Sequence, residues 1–245
     1  MTSNISIPPP GRKVPPISVE QTVNKTALMF SGGIDSTAML YRQLKDTQDI
    51  VYAHHINFVN SEGRASCELI AVRNIIEYLQ KNVRRFRYSE STFVWPGKYY
   101  IGWDIITAMY IGSCVTGNII EEDRRNASSK ETQICYQIAI GDTKDDFGSY
   151  QWKSPIAQSI FLTASLRQPW LDQKIPQIIQ PTANMSKKDL IENLPPELYA
   201  LTWSCRHPVV NIEHNSYKEC GKCRTCEGLK KIGHFRNIEF SMEKR

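Results

Sequence analysis

The amino-acid sequence predicts an α/β protein: a mostly parallel sheet with flanking helices, and a small module at the C-terminal end. Three observations predict it. Short apolar runs alternate with longer amphipathic runs through residues 26–193. A glycine turn, Ser31-Gly32-Gly33, joins the first apolar run to the first amphipathic one. Four cysteines crowd into residues 205–226. Strands that alternate with helices pair in parallel, because each crossover helix returns the chain to the same end of the sheet.

Residues 1–25 carry Pro8-Pro9-Pro10, Gly11 and Pro15-Pro16, which forbid regular structure and predict a flexible arm. Residues 26–200 form the expected sheet domain, and residues 201–245 the cysteine module. Ala27-Leu28-Met29-Phe30 predicts the first, buried strand. A helix follows from Ser36, with Leu40 and Leu44 four apart. Ile50-Val51-Tyr52-Ala53-His54-His55-Ile56 predicts a second strand. Residues 68–81 predict a second helix, with Leu69, Val72, Ile76 and Leu79 on one face.

Residues 84–88 predict a third strand, its basic run Arg84-Arg85-Phe86-Arg87 read as a solvated edge. Residues 103–115 predict a helix whose Ala108, Gly112 and Ser113 permit close packing. Residues 121–131 are polar and read as a surface insertion. Tyr136-Gln137-Ile138-Ala139-Ile140 predicts a strand that ends at Gly141-Asp142. Residues 154–167 predict a helix. Ile178-Ile179-Gln180-Pro181 predicts a strand leaving the sheet, since proline cannot donate to a ladder. Residues 186–193 predict a short helix.

Composition bounds the function classes. The chain is 41% hydrophobic and 22% charged, which excludes wholesale disorder. It has no apolar run near the ~20 residues that a spanning helix needs. It shows no signal-peptide core, so a soluble cytoplasmic protein is expected. With 30 Lys and Arg against 25 Asp and Glu, the net charge is +5. That balance suits a phosphate-rich ligand. It forms no basic stripe, so nucleic acid is not an expected partner.

Ser31-Gly32-Gly33-Ile34-Asp35-Ser36 follows an apolar strand and opens a helix. Two adjacent glycines let backbone amides approach an anion, and the helix start adds unpaired N–H groups and a positive dipole end. Ser31, Ser36 and Thr37 add hydroxyls. Asp35 is too negative for a plain phosphate cradle; it suits helix capping or holding Mg²⁺ on the phosphates. The string is neither a Walker loop nor a dinucleotide fingerprint. In a parallel sheet, ligands sit beyond the carboxyl ends of the strands, so Gly141 and the glycine turn can share one crevice.

Cys220-Gly221-Lys222-Cys223-Arg224-Thr225-Cys226 sets three thiols at a period of three, and Cys205 precedes them. A turn running into a helix can aim three thiolates at one point, and Cys205 closes the tetrahedron. Four thiolates with no open position describe a structural Zn²⁺ site. His207 and His214 are spare candidates, with four sulfurs preferred.

The string Ser-Gly-Gly-x-Asp-Ser resembles the PP-loop of the ATP pyrophosphatase superfamily, which implies a HUP-like α/β fold. With the C-terminal Cys-x-x-Cys-x-x-Cys, the chain resembles the 7-cyano-7-deazaguanine synthase (QueC-like) family over residues 26–235. Phe30, Ser31, Gly32, Gly33, Ile34, Asp35, Ser36, Thr37, Ala38, Met39 and Leu40 resemble its ATP loop. Glu68 and Arg73 stand where the family has Glu and Arg. Ser186-Lys187 resembles a pair whose lysine faces the phosphates, and Thr202-Trp203-Ser204-Cys205 resembles the approach to the first zinc ligand.

The resemblance implies an ATP-dependent ligase of queuosine-type deazapurine biosynthesis. Its cofactors are ATP, Mg²⁺ and Zn²⁺, its catalytic residues Asp35, Ser36 and Lys187, and its substrates 7-carboxy-7-deazaguanine and ammonia. It also implies a homodimer. Three segments depart from the family. Trp95 interrupts its Val-Pro-Gly, Lys98-Tyr99 replaces Arg-Asn, and Phe147-Gly148-Ser149-Tyr150-Gln151-Trp152 replaces its Ser-Gly-Tyr-Pro-Asp-Cys. These segments are associated with the purine-like substrate rather than with ATP.

Overall fold

The structure is a computed structural model, and it describes residues 23–95, 104–126, 134–145 and 176–242. Five strands, β1 (Val23–Met29), β2 (Ile50–Val59), β3 (Arg87–Val94), β4 (Ile134–Ala139) and β5 (Gln177–Ile179), form one sheet. Their order is β3-β2-β1-β4-β5 and every pair is parallel. Helices α1 (Ile34–Asp46), α2 (Ala65–Asn82) and α3 (Asp104–Asn126) follow β1, β2 and β3. Short helices α4 (Lys187–Glu192) and α5 (Pro196–Ala200) lead into the C-terminal module. That module is an antiparallel sheet, β6 (Val209–Asn211), β7 (Ser216–Lys218) and β8 (Glu239–Ser241), with α6 (Arg224–Lys231).

Period-two alternation on β1 builds the two faces of the large sheet. Leu28 and Phe30 pack with residues of α1 and α2, including Leu40, Val72 and Ile75. Ala27 and Met29 turn the other way, toward α3. Both faces are therefore covered, which is why the strand reads as a continuous apolar run rather than an alternating one. Gly112 lets α3 approach closely: a Cβ there would lie 3.0 Å from Met29 Sδ and 3.2 Å from Ile138 Cγ2.

The helix predicted over 103–115 runs on to Asn126, so residues 121–126 are its last turns and not an insertion. Ion pairs, rather than an apolar stripe, hold this end. Arg87 pairs with Glu122 at 2.8 Å, Tyr136 donates to Asp123 at 2.9 Å, and Lys25 also pairs with Asp123. Residues 127–131 and the helix predicted over 154–167 lie outside the described residues.

The third strand spans Arg87–Val94, later than predicted, because Arg84 has another task. Its guanidinium donates to the carbonyls of Leu44 at 2.7 Å and Asp49 at 2.8 Å. It thereby closes the carbonyl end of α1, which would otherwise lack partners. The first strand begins at Val23, earlier than the predicted Ala27 and inside the predicted arm, and the rest of the arm, residues 1–22, lies outside the described residues. Among the described residues, no helix is long and apolar enough to cross a membrane.

Candidate functional site

Strand order reverses at β1, which has β2 on one side and β4 on the other. The two flanking crossovers leave in opposite directions there and open a crevice at the carboxyl ends. The glycine turn lies at this point. Phe30 still donates to the His54 carbonyl at 2.8 Å, so β1 carries the turn to a fixed height above the sheet.

Hydroxyl groups shape the turn. Ser36 Oγ accepts from the Ser31 N–H at 3.2 Å, lies 3.0 Å from Ser31 Oγ, and donates to the Gly33 carbonyl at 3.2 Å. Gly32 has φ of 73°, a left-handed conformation that favours glycine. A Cβ at Gly32 would also lie 2.9 Å from Val72 Cγ2 and 3.3 Å from the Glu68 carbonyl oxygen. The turn is thus pressed against α2. Gly33 precedes α1 with no side-chain cap of its own. The first amides of α1 therefore depend on partners from elsewhere, or on an anion.

Two further loops close on the turn. At the end of β4, a Cβ on Gly141 would lie 3.1 Å from Ser36 N and 3.2 Å from Asp35 C. A side chain there would have to displace backbone atoms of α1, so Gly141 lies directly against the glycine turn. Beyond β5, Ser186 caps α4 through a capping box with Asp189. The cap fixes Lys187 at the first turn of α4, and its amide donates to Asp145 at 2.7 Å. Lys187 Nζ then lies 3.1 Å from Asp35 Oδ2.

The predicted loop residues separate into two sets. Ser31, Gly32, Gly33, Asp35, Ser36 and Gly141 lie together at the junction of β1, α1 and the end of β4. Phe30, Ile34, Ala38, Met39 and Leu40 are buried core residues, so their side chains position the loop and α1 from below. Thr37 is fully buried as well. Glu68 is buried and pairs with Arg64 at 2.9 Å, while Arg73 reaches Glu90 at 3.6 Å.

The four cysteines converge as the spacing predicts. The Sγ atoms of Cys205, Cys220, Cys223 and Cys226 all lie within 4.8 Å of one another. Sulfurs about 2.3 Å from a tetrahedral ion would stand roughly 3.8 Å apart, so the set fits one ion. Gly221 makes the turn at φ of 68°, and Cys223 is the N-cap of α6. Backbone amides orient the sulfurs: Cys220 N–H donates to Cys205 Sγ at 3.3 Å, and Cys223 N–H to Cys220 Sγ at 3.2 Å. His207 and His214 are exposed and stand outside this group.

Ionisation of Cys205, Cys223 and Cys226 is uneven. Burial pushes Cys205 up to about 12 and raises Cys226 too. Burial also opposes ionisation of Cys223, but hydrogen bonds from the backbones of Arg206 and Cys226 outweigh it and bring the thiol to about 7. A cation held by the cluster would favour the thiolate form of the buried Cys205 and Cys226.

Trp203 and Ser204, noted in the sequence only as the approach to Cys205, touch the turn directly. Trp203 N–H donates to the Gly32 carbonyl at 2.9 Å, and Ile34 N–H donates to Ser204 Oγ at 3.4 Å. No spacing rule points to a contact between residues so far apart in the chain.

No protein-family profile matches the chain, and no curated protein sequence matches it. Among solved structures it is similar to the U34-tRNA thiolase NcsA from Methanococcus maripaludis with its [4Fe-4S] cluster. That likeness has 18% identity and a TM-score of 0.42, over 76% of this chain and 59% of the thiolase. The chain spans less than two thirds of that protein's length. A likeness this distant says nothing of substrate. The described residues thus show a five-stranded parallel sheet whose order reverses at β1, with Ser-Gly-Gly-x-Asp-Ser between β1 and α1.

Proposed function

We propose that the protein is an ATP-dependent carbon–nitrogen ligase that converts 7-carboxy-7-deazaguanine and ammonia to 7-cyano-7-deazaguanine. The observation that carries this reading is the meeting of Lys187, Gly141 and the Ser31–Ser36 hydroxyl pair at the start of α1, in a chain that ends in a four-cysteine cluster.

In this reading the β- and γ-phosphates of ATP lie on the turn. The first amides of α1 and the hydroxyls of Ser31 and Ser36 hold them, and Lys187 neutralises the pyrophosphate as it leaves. The substrate carboxylate attacks the α-phosphorus, and the bond to pyrophosphate breaks. Ammonia then displaces AMP from the acyl-adenylate and gives the amide. A second adenylation, on the amide oxygen, makes that oxygen a leaving group, and loss of AMP and protons gives the nitrile. Mg²⁺ held beside Asp35 would supply further neutralising charge on the phosphates. Cys205, Cys220, Cys223 and Cys226 would hold Zn²⁺ in a closed, structural role.

The test is incubation of the protein with ATP, Mg²⁺, ammonia and 7-carboxy-7-deazaguanine, followed by mass spectrometry. The nitrile, with AMP, supports the reading. Neither nitrile nor amide would reject it.

A specific departure favours a second reading, a related PP-loop adenylating enzyme that stops at an amide or uses another deazapurine, a nucleic acid or a protein. Trp95 stands between Val94 and Pro96, where the family has proline directly after valine, and its N–H donates to the Val59 carbonyl at 2.9 Å. Proline has no such donor, so the end of β3 stays paired to β2 here. AMP release with another acceptor, and none with 7-carboxy-7-deazaguanine, would select this alternative.

A further inference from the structure

The residues that precede and follow the first cysteine ligand lie against the glycine turn. Trp203 N–H donates to the Gly32 carbonyl, and Ser204 Oγ accepts from Ile34 N–H. A Cβ on Gly33 would lie 3.5 Å from the Trp203 carbonyl oxygen and 3.9 Å from Ser204 Oγ. Gly33 offers no side-chain cap, and Ser204 Oγ accepts from the first amide of α1 across 170 residues of chain.

Three sets of contacts fix this segment to the cysteine module. The Trp203 ring is 1% exposed, packs 5.2 Å from Phe240 and donates to the Cys205 carbonyl at 2.9 Å. Arg236 donates to the carbonyls of Tyr199 and Thr202, and its guanidinium lies 3.8 Å from the Tyr199 ring centroid. Arg206, next after Cys205, pairs with Glu62 at 3.0 Å, Glu62 with Arg64 at 2.6 Å, and Arg64 with Glu68 at 2.9 Å. The Glu68 carbonyl and Val72 are the groups against which Gly32 packs. The turn is therefore held from two sides by structure that leads back to Cys205.

We infer that Ser204 and Trp203 are positioning residues that make metal occupancy of the cysteine cluster set the affinity of the glycine turn for nucleotide. This rests on the reading of the turn as the ATP loop. Binding at one site that orders a segment shared with the other gives a coupling free energy between them. Cys205 held by an ion fixes residues 203–204. Those residues fix the Gly32 carbonyl and the Ile34 amide, and the amides of α1 then point into the crevice before ligand arrives.

The experiment is calorimetric titration of full-length protein with the Mg²⁺ complex of α,β-methylene-ATP, with zinc content, circular dichroism and amide hydrogen exchange measured on the same samples. Ser204→Ala is expected to keep its zinc and its fold, to exchange the Ile34 amide faster, and to bind the analogue roughly three- to ten-fold more weakly, the effect of one neutral hydrogen bond. Ser204→Thr, which keeps the hydroxyl, should restore affinity. Ile212→Ser, on an 86% exposed position of the same module, should change nothing. Protein stripped of zinc should bind more weakly than Ser204→Ala; if stripping unfolds it, the Ser204 pair decides alone. No binding by zinc-loaded native protein would instead remove the ATP-loop reading. Native binding with equal affinity in Ser204→Ala and in folded, stripped protein would overturn the coupling while leaving that reading intact.

Discussion

Lys187 Nζ lies 3.1 Å from Asp35 Oδ2, so the first turn of α4 is joined to the first turn of α1 across the crevice. Both side chains are 24% exposed, which keeps them within reach of a ligand and partly screened by solvent. Such a pair contributes at most about 1 kcal/mol to stability. Its value lies in setting a positive charge beside the start of α1.

Lys187→Ala should therefore lower the rate of AMP formation by about a hundred-fold or more, the usual effect of losing one charge-stabilising donor. The melting temperature should fall by only a few degrees, since 1 kcal/mol is worth roughly 2–4 °C at this chain length. Ser36→Ala should behave alike, because Ser36 Oγ organises the Ser31 and Gly33 backbone groups. Steady-state rates and thermal melts, read together, check this. A large melting shift with an unchanged rate would reassign both residues to structure.

Gly141→Ala should damage the crevice from behind. The new Cβ would meet backbone atoms of Asp35 and Ser36 at 3.1–3.2 Å, and backbone yields less readily than a side-chain tip. A stability cost of about 1–3 kcal/mol is expected, with at least ten-fold weaker nucleotide binding. Gly228→Ala is the control. It is an exposed helix position with nothing within 4 Å of the new Cβ, so up to about 1 kcal/mol of stabilisation is expected. Denaturant melts and nucleotide titrations of the two variants give the comparison.

Cys223→Ala should lose the bound metal and destabilise the module, because a structural site contributes its binding energy to folding. A loss of at least about 3 kcal/mol corresponds to a melting decrease of roughly 6–12 °C. Elemental analysis and a thermal melt check it. Unchanged metal content would remove Cys223 from the ligand set.

His54 and His55 should make stability depend on pH. Burial lowers both below the ordinary value of 6.5. The His54 ring lies 2.8 Å from Ser89 Oγ and 2.9 Å from Ser91 Oγ, and the His55 ring donates to the Phe30 carbonyl at 2.9 Å. The unfolded chain binds these protons first as pH falls through 6.5, while the folded state resists. Stability is thus full above 6.5 and declines from there toward the lowered folded-state value. Urea midpoints between pH 7.5 and 5 should fall, and His54→Gln should flatten the slope whatever its effect on the absolute midpoint.

Much of this was legible in residue order. The alternation of runs carried the parallel sheet, and the spacing of Cys205, Cys220, Cys223 and Cys226 carried their convergence, because both are local signals with a fixed geometric meaning. The extension of α3 to Asn126 was not legible, since its last turns are held by Arg87, Lys25 and Tyr136 from other strands. The module's three short strands, β6, β7 and β8, are too brief to show a period. The backing of the turn by Trp203 and Ser204 depends on the path of the chain through α4 and α5, and no composition encodes a path. The sequence placed Gly141 at a strand end that could share a crevice with the turn, but its direct contact with Asp35 and Ser36 comes only from the packing of β4 beside β1.

In the proposed reaction, the turn at the start of α1 holds the pyrophosphate of ATP while AMP passes to an acceptor. Phosphorus NMR of ATP consumed by the zinc-loaded protein, with 7-carboxy-7-deazaguanine and ammonia present, tests it most directly. The account predicts AMP and pyrophosphate in equal amounts, formed only when the acceptor is added. ADP and inorganic phosphate, or no consumption with any acceptor tried, would contradict it.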